Sequence, residues 1–470
     1  MNQKKISTIL RLLSFILVLV IISTSFISCK PTRTKEEIYD KISSSEAKTY
    51  NYVWNYYIDF GMPECDKIKF RWAESAFQTY FNVKNGLPDN YNHAVKSATA
   101  FLENYYDKID LTDKNAVTDA LLACYVEATG DRYAYYRTPT EHEDYNDDMS
   151  GTFGGIGVVI EYDHNAETLQ VSTVYIDSPA EAAGIMAGDY IYAVDGKTIE
   201  EVGYLNIVDL VRGEIGTSVK ITLKRDGELI EVTAIRALVE EKTVAYKLID
   251  GEIGYVQLVS FKDNTFAQFV EAIDALEEMG VKGYVFDLRN NLGGYVHSVR
   301  SIVSYLISNG QPIISYSYKN FPTEVLNSET DIHPTKKDPE NPSLPLKEDH
   351  KTTLPIVVLC NEYTASAGEL FTAAMRDYAD MGILNAVTIG NKTYGKGVMQ
   401  SGFVYSDGSS IIFTVAYYNP PCGENYDGTG ITPDIEIDIS YDGDTAVDSQ
   451  YNKAIEEIKS LINANNTSQN

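Results

Sequence analysis

The chain has 470 residues, about three times the length of an average domain, which excludes a single small binding module. Its composition is 44% hydrophobic and 23% charged, and 39 basic against 67 acidic side chains give a net charge of −28. The chain can therefore build hydrophobic cores, while its negative charge repels nucleic acids and excludes them as expected partners.

The N-terminus has the layout of an export signal. Three basic residues precede an apolar run over 12–22, and small residues lead from this run to Cys29. The run is too short to span a membrane comfortably, so residues 1–28 are predicted to be a signal peptide. Residues 26–29 resemble the lipobox of bacterial lipoproteins, with Phe26 in place of the usual Leu.

The lipobox resemblance implies an extracytoplasmic, bacterial cell-envelope lipoprotein, anchored to a membrane through lipidated Cys29. An uncleaved signal anchor and simple secretion are the alternatives, and all three place the rest of the chain outside the cytoplasm. The polar segment 29–48 is then expected to be a tether between the anchor and a folded body.

The five cysteines are far apart in the sequence: Cys29, Cys65, Cys124, Cys360 and Cys422. The sequence contains no CxxC and no HExxH motif, so it predicts no structural zinc, no iron–sulfur cluster and no cofactor. The four cysteines after residue 29 allow three disulfide pairings, and their spacing selects none.

A helical region is predicted over 49–140. Two runs place apolar residues at helical spacing: Tyr50, Val53, Trp54, Tyr57 and Ile58, then Val117, Ala120, Leu121, Cys124 and Tyr125. Packing is the expected role of these faces. Peptide contact, pairing of two chains into a homodimer and binding of another partner are alternatives that the residues leave open.

Residues 150–239 change to short β-segments with Gly and Asp-Gly turns. Strands are predicted at 156–161, 170–174, 190–194, 219–224 and 229–235, with short helices at 180–183 and 205–211. This order predicts a small, partly open β-barrel with two helices, large enough to fold as a domain of its own.

From 240 to 440, β-segments alternate with longer helices, which predicts an α/β structure whose sheet is covered by helices. Strands are expected at 254–259, 283–287, 356–360, 387–389 and 410–415, with helices at 265–279, 296–307 and 368–376. Residues 318–352 are rich in proline and charge and are predicted to be a surface excursion or lid. The region 441–470 contains a last helix, over 450–462, that is expected to dock on the body. The fold class is multidomain α+β.

A glycine-rich stretch over 153–157 leads into the first strand of the barrel. Free backbone amides in such a loop can bind an anion such as the C-terminal carboxylate of a peptide, although glycines are also common turn residues there. The runs 178–196 and 212–217 resemble the signature of PDZ domains. The resemblance implies that Ile156, Gly157 and Val158 border the carboxylate loop, and that a helix over 205–210 lines a groove to which a peptide adds as a strand.

Ser366 follows a buried strand through a tight turn of small residues, and a helix opens at Gly368. Near a helix N-terminus, free N–H groups and the helix dipole stabilise an oxyanion, which suits a serine nucleophile. The alternative is that Thr364 or Ser366 only caps the helix.

A serine nucleophile also needs a base, and none of the six histidines has an obvious acidic partner in the sequence. Lys396 is the other candidate, because it lies between two glycines directly after the apolar strand at 387–389. To act as a base at neutral pH, its pKa has to be lowered by about two to three units through burial or like charge.

Together these motifs resemble the carboxyl-terminal processing peptidases of the S41 family, serine proteases with a Ser–Lys dyad and an embedded PDZ domain. The resemblance covers about residues 130–440, beginning with the run 131–136 and ending with 430–434. It implies a ClpP/crotonase-like peptidase core in which Ser366 is the nucleophile, Lys396 the general base and Gln400 the side chain that orients the lysine.

The loop 287–294 matches the strand-end loop of the family. The match implies that the amides of Gly293 and Ala367 form the oxyanion hole, and Arg212 lies where a substrate-sensing arginine is found, with a surface ion pair as the alternative role. The chain departs from the family pattern at three positions: Leu292 in place of Pro, and Thr364 and Gly368 in place of Ser. Leu292 leaves the loop one more N–H and a freer φ.

The predicted function is a serine endopeptidase that captures unfolded proteins or peptides with a free apolar C-terminus and cuts them with the Ser–Lys dyad. The main alternative is a non-catalytic PDZ lipoprotein that binds peptides on a protease-like scaffold. A further alternative, binding of a small hydrophobic ligand, would not require Lys396. No metal is predicted.

Overall fold

The computed structural model describes residues 34–43, 65–80, 90–163, 168–175, 177–318, 320–442 and 445–468. The predicted signal peptide, Cys29 and the first amphipathic run lie outside these residues. The described residues belong to two compact units, one within 1–68 and 88–128, the other within 69–87 and 129–470. Among them, no helix is both long and apolar enough to cross a membrane.

The first unit is helical. Its helices are α1 (Lys35–Ser43), the start of α2 (Lys67–Tyr80), α3 (Asn90–Asn104) and α4 (Lys114–Ala128). Helices α3 and α4 pack together, and Phe101, Val117 and Leu121 are buried in this unit. The second predicted amphipathic run is thus a packed helix face, while the segment predicted as a tether includes helix α1.

The second unit contains the barrel-like domain. Strand β1 (Tyr135–Arg137) and helix α5 (Pro139–Ser150) come first, and β2 (Thr152–Gly155) leads into the domain. The next elements are β3 (Val158–Asp163), β4 (Thr168–Val174), α6 (Pro179–Ala182), β5 (Tyr190–Val194), β6 (Lys197–Thr198), α7 (Ile199–Val202), α8 (Tyr204–Val211), β7 (Ser218–Arg225), β8 (Glu228–Ile235) and β9 (Ala237–Glu240). The five predicted strands and two predicted helices are all present, and within 150–239 the structure adds β2, β6, α7 and β9.

The strands of this domain form an antiparallel sheet of order β3-β4-β5-β7-β8, with β6 paired to β5. Alternating apolar residues of the sheet, such as Val219, Ile221 and Leu223, are buried against Ile207 of α8 in one hydrophobic cluster. Strand β2 enters the domain and strand β9 leaves it. These two strands pair with each other, so a two-stranded stem connects the domain to the rest of the chain.

The central sheet of the second unit has six strands, and four helices belong to the same α/β body. Its elements are β10 (Val244–Ile249), β11 (Ile253–Leu258), α9 (Thr265–Glu278), β12 (Gly283–Asp287), α10 (Val296–Leu306), β13 (Pro312–Tyr318), β14 (Glu324–Asn327), β15 (Asp331–Lys337), β16 (Pro345–Glu348), β17 (Ile356–Cys360), α11 (Ala367–Asp380), β18 (Ala386–Gly390), β19 (Val398–Val404), β20 (Ser410–Asn419), β21 (Ile435–Glu436), β22 (Ser440–Asp442), β23 (Thr445–Val447) and α12 (Ser449–Ser468).

Strand order in the central sheet is β10-β11-β12-β17-β18-β21, parallel except for β10. Val285 and Val357 face α12 through its buried Ile458, while Phe286 packs on the other face against Phe371 of α11. Helices therefore cover both faces, as predicted, and the last helix docks on the sheet. All five residues of β12 and of β17 are buried, as expected for strands in the middle of a parallel sheet.

A second sheet has the strand order β1-β20-β13-β14, with β19 paired to β20. Of these five strands, the sequence predicted only β20. Strand β19 is mostly exposed and lacks a regular alternation of apolar residues, so its sequence carries little strand signal. The predicted excursion contains the hairpin β15–β16, which is largely exposed and is anchored by the buried His333, whose Nε2 lies 3.3 Å from Asp274 Oδ2 of α9.

Candidate active site

Ser366 lies in a sharp turn between β17 and α11. The turn is fastened to the neighbouring loop, because the Thr364 hydroxyl donates to Leu288 O at 2.9 Å and the Ala365 amide donates to Asn291 O at 2.9 Å. Ser366 has φ 54° and ψ −118°, a conformation that costs a non-glycine residue about 1–3 kcal/mol and is found at functional sites. Two departures from the family pattern fit this packing: Thr364 is fully buried, and a Cβ on Gly368 would lie 3.0 Å from Asn291 O.

Gly293 lies directly against this turn. A Cβ on Gly293 would be 2.8 Å from Ser366 Cβ and 3.0 Å from Ala367 N, and its φ of 104° also requires glycine. The Ala367 amide makes no hydrogen bond within the described residues, whereas the Gly293 amide donates to Asn291 Oδ1 at 2.8 Å. Of the two predicted oxyanion donors, Ala367 is therefore available and Gly293 is already engaged.

Glu369, one turn into α11, was not identified from the sequence. Its carboxylate is completely buried and accepts four hydrogen bonds, from Ser366 N (2.9 Å), Thr393 Oγ1 (2.6 Å), Gly395 N (2.6 Å) and Lys396 N (2.8 Å). Burial raises the pKa of Glu369, while these hydrogen bonds oppose that effect. The Ser-x-x-Glu spacing of a helix N-terminus was the available signal for this contact.

Lys396 is half-buried in the loop that follows β18. Burial lowers the pKa of its amine, and Arg132 adds to the effect, while Asp131, Glu369 and Asp427 act against it. The pKa of Lys396 is thus lowered, which is the shift that a lysine needs to act as a base at neutral pH.

The two glycines beside Lys396 make room for a neighbouring loop. A Cβ on Gly395 would lie 2.9 Å from Gly430 N, and a Cβ on Gly397 would lie 2.7 Å from Asp427 N. The flanking glycines thus allow close packing, and the group that packs against them is the backbone of residues 427–430.

Ser366 and Lys396 are brought to one site without a direct hydrogen bond between Oγ and Nζ. The Ser366 side chain lies next to the Tyr418 hydroxyl, and that hydroxyl donates to Lys396 O at 2.7 Å. Such separation is common in ligand-free enzymes, where catalytic hydrogen bonds tighten when substrate binds.

Gln400 makes no hydrogen bond to the Lys396 amine within the described residues. Its Nε2 donates to Val398 O and to Thr414 Oγ1, both at 3.3 Å. The predicted role in orienting Lys396 stays a prediction, and in this structure its side chain acts on β20 instead.

The residues predicted to bind peptide occupy the expected end of the PDZ-like sheet. Gly157 has φ 81° and lies so close to Ser178 that a Cβ would meet Ser178 Cβ at 2.5 Å. Val158 begins the edge strand β3 and is half-buried, whereas the Ile156 side chain is buried in the domain core. Ile156 can therefore contribute to a carboxylate loop only through its backbone. The Arg212 guanidinium lies 4.7 Å from the centre of the Phe153 ring on β2 and makes no ion pair with another described residue.

This arrangement provides a serine on a strained turn, a free amide beside it and a partly dehydrated lysine, which together can transfer an acyl group. Within the described ranges, no group of three or more His, Cys, Asp or Glu residues could hold a metal ion.

Comparison with known proteins also indicates a peptidase with a PDZ domain. Residues 252–437 match the model of peptidase family S41, and residues 170–225 match a PDZ domain. The carboxy-terminal processing protease CtpA of Bacillus subtilis (strain 168) is 33% identical over 337 residues, covering 72% of this chain and 66% of that protein.

A probable CtpA-like serine protease of Staphylococcus aureus (strain bovine RF122 / ET3-1) is 31% identical over 363 residues, covering 76% of this chain and 68% of that one. Among solved structures, the photosystem II D1 C-terminal processing protease is 24% identical with a TM-score of 0.43, covering 78% of this chain and 91% of that chain. The chain spans about two thirds of the length of these curated relatives. With 31–33% identity over that length, it belongs to peptidase family S41.

Proposed function

We propose that the chain is a serine endopeptidase that uses Ser366 and Lys396 as a catalytic dyad. The neutral Lys396 amine takes the Ser366 Oγ proton, and the alkoxide attacks the carbonyl carbon of a peptide bond. The lysine then gives the proton to the leaving amine, and water hydrolyses the acyl ester. The observation that carries this proposal is the buried Glu369 carboxylate, which ties the turn of Ser366 to the loop of Lys396.

The oxyanion of this reaction would be held by the amides of Ala367 and Gly293. Ala367 N lies at the N-terminus of α11, where the helix dipole also favours negative charge. The Gly293 amide has to exchange Asn291 Oδ1 for the oxyanion. Formation of the complete hole is therefore a step that accompanies substrate binding.

Substrates are proposed to be unfolded proteins or peptides with a free apolar C-terminus, captured by the PDZ domain. Strand β3 supports this because it is the edge of its sheet and its outer side has no strand partner among the described residues. A peptide can add there by main-chain hydrogen bonds, with Gly157 at the carboxylate end and α8 along the groove.

The dyad is tested with the detergent-solubilised full chain and an unfolded, fluorescently labelled protein that has an apolar C-terminus. Cleavage by the parent, with no cleavage by Ser366→Ala or Lys396→Ala, is the expected result. A parent that cuts nothing but binds C-terminal peptides as tightly as both variants would favour the non-catalytic PDZ adaptor instead.

The location is proposed to be extracytoplasmic, on a bacterial cell envelope, through lipidation of Cys29. The basic, apolar and small residues that precede Cys29 support it. Metabolic labelling with a radioactive fatty acid should mark the parent chain and not Cys29→Ser. Equal labelling of both would contradict it.

The N-terminal helices are proposed to pair two copies of the chain into a homodimer. Trp72 of α2 supports this, since its large side chain is half-exposed. Light scattering should give the mass of two chains for the parent, and Trp72→Ala should shift it toward one. A monomeric parent would refute the pairing.

A further inference from the structure

The segment Asp131–Tyr133, which directly precedes β1, covers the amine of Lys396. Lys396 Nζ lies 4.5 Å from the centre of the Tyr133 ring, and the guanidinium carbon of Arg132 lies 4.6 Å from the same ring. The sequence marked this segment only as the start of the family resemblance. In the structure, this segment lies against Lys396, the proposed general base.

The position of the ring is fixed by Asp131. Its buried carboxylate accepts from the Thr414 amide at 2.7 Å, from the Thr414 hydroxyl at 3.0 Å and from the Tyr133 amide at 3.1 Å. Thr414 Oγ1 also accepts from Gln400. The segment is therefore fastened to β20, and the ring lies against Lys396 before any substrate is present.

The Tyr133 hydroxyl is not a candidate for proton transfer. Its oxygen is buried and has no hydrogen bond of ordinary geometry within the described residues. Burial raises the pKa of Tyr133 to about 12, and the nearby Arg132 only partly offsets this. The ring is therefore the part of the Tyr133 side chain that can affect Lys396.

A ring over an amine has two opposite effects. It excludes water, which favours the neutral amine, and its π face attracts the ammonium form by about 0.5–2 kcal/mol. Among the charged groups around Nζ, Asp131, Glu369 and Asp427 favour the ammonium form, and Arg132 disfavours it. Burial has the largest effect on the pKa of Lys396 and lowers it. The Tyr133 ring, 4.5 Å from Nζ, contributes to that burial.

We propose that Tyr133 is a positioning residue of the peptidase reaction, whose ring shields the Lys396 amine from water and keeps it able to accept the Ser366 proton. This role rests on the proposed function. Once the proton has moved, the same π face stabilises the ammonium ion, so the ring serves both states of the base.

The experiment measures the pH at which the Lys396 amine is half-deprotonated, by competitive acetylation of the full chain followed by mass spectrometry of the peptide that contains it. All measurements use a Ser366→Ala background, so the result does not depend on turnover. The variants are Tyr133→Phe and Tyr133→Ala. The control is Tyr135→Ala at the start of β1, since the Tyr135 ring lies over Arg137 and not over Lys396.

Tyr133→Phe should leave the midpoint within about 0.3 pH units, because the ring is kept and the lost hydroxyl has no hydrogen bond of ordinary geometry within the described residues. Tyr133→Ala should raise the midpoint by about one unit or more, because water reaches the amine. With Ser366 restored, Tyr133→Ala should lose about tenfold in kcat at pH 7, recover at higher pH and keep its KM.

An unchanged midpoint in a folded Tyr133→Ala chain would overturn the proposal, as would an equal shift in Tyr133→Phe. If Tyr133→Ala fails a melting test, Tyr133→Leu replaces it, with a smaller rise expected and the same outcome decisive. The midpoint can be measured even in a chain that has no peptidase activity. Failure of the proposed function, seen as absent cleavage, is therefore distinguished from failure of this proposal, seen as an absent shift.

Discussion

Ser366 and Lys396 donate their backbone N–H groups to the same oxygen, Glu369 Oε2, at 2.9 and 2.8 Å. The proposed nucleophile and the proposed base belong to different loops, at the ends of β17 and β18. A single buried carboxylate therefore sets the distance between the backbones from which the two reactive side chains extend.

Glu369→Gln tests this relationship. An amide has one accepting oxygen and presents N–H groups to donors, so it cannot accept all four hydrogen bonds that the carboxylate accepts. We expect kcat to fall about a hundredfold through misplacement of Ser366 and Lys396. The measurement is peptide hydrolysis, with a melting curve to confirm that the chain is folded.

Glu362→Gln is the matched control for this change, because Glu362 is an exposed carboxylate in the turn between β17 and α11. It should keep the parent kcat. Equal losses in the two variants would show that the site responds to charge in general and not to the Glu369 hydrogen bonds.

Gly293→Ala should abolish most of the activity. The added methyl group would lie 2.8 Å from Ser366 Cβ, and φ of 104° strains any residue other than glycine. Displacing one oxyanion donor costs about 10²–10³-fold in kcat. Gly280→Ala is the control, since Gly280 also has a positive φ of 83° but nothing within 4 Å of its added Cβ.

Both glycine variants should lose stability in urea unfolding through backbone strain, and Gly293→Ala should lose more because its methyl group also clashes with the turn of Ser366. Only Gly293→Ala should lose peptide hydrolysis. Activity retained in Gly293→Ala would mean that the oxyanion is held elsewhere.

His350 should make stability depend on pH near neutrality. Its Nε2 lies 3.1 Å from Glu277 Oε1, and its ring stacks on Tyr305 at 4.0 Å. Burial disfavours the charged imidazole, but the hydrogen bonds with Glu277 and with the Tyr305 carbonyl outweigh it, so the pKa of His350 is raised.

Because the folded pKa exceeds the unfolded value of about 6.5, this contribution is complete below that pH and is lost as pH rises through the folded pKa of His350. Urea unfolding should show a loss of about 1 kcal/mol across that window. His350→Gln should show a flatter profile there. An identical pH profile in the parent and the variant would contradict the assignment.

Ile458→Ala should destabilise the second unit by about 2–5 kcal/mol in urea unfolding, as other buried Ile or Leu truncations do. Ile458 is fully buried between α12 and the central sheet. Ser460→Ala, on the exposed side of the same helix, should stay within about 0.5 kcal/mol of the parent. Comparable losses in both would mean that α12 is not docked through this face.

Much of the fold was accessible from local patterns. Strands β12 and β17 have the bounds predicted from their apolar runs, since a strand buried on both faces is continuously apolar. The last helix, predicted over 450–462, docks on the central sheet through Ala454, Ile458 and Ile462. Strand β19 escaped prediction because an exposed strand lacks a continuous apolar run; it is defined by its pairing with β20, the next strand along the chain.

The sequence by itself determined the family motifs, the order of the domains, and Ser366 and Lys396 as the pair to test, because each of these depends on residues close together in the chain. Only the tertiary structure decided that Glu369 joins the two loops, that Gln400 bonds to Thr414, that Asn291 holds the Gly293 amide and that Tyr133 covers Lys396. The physical reason is that hydrogen-bond partners and the exclusion of water depend on which distant segments pack together, and local periodicity carries no record of that packing.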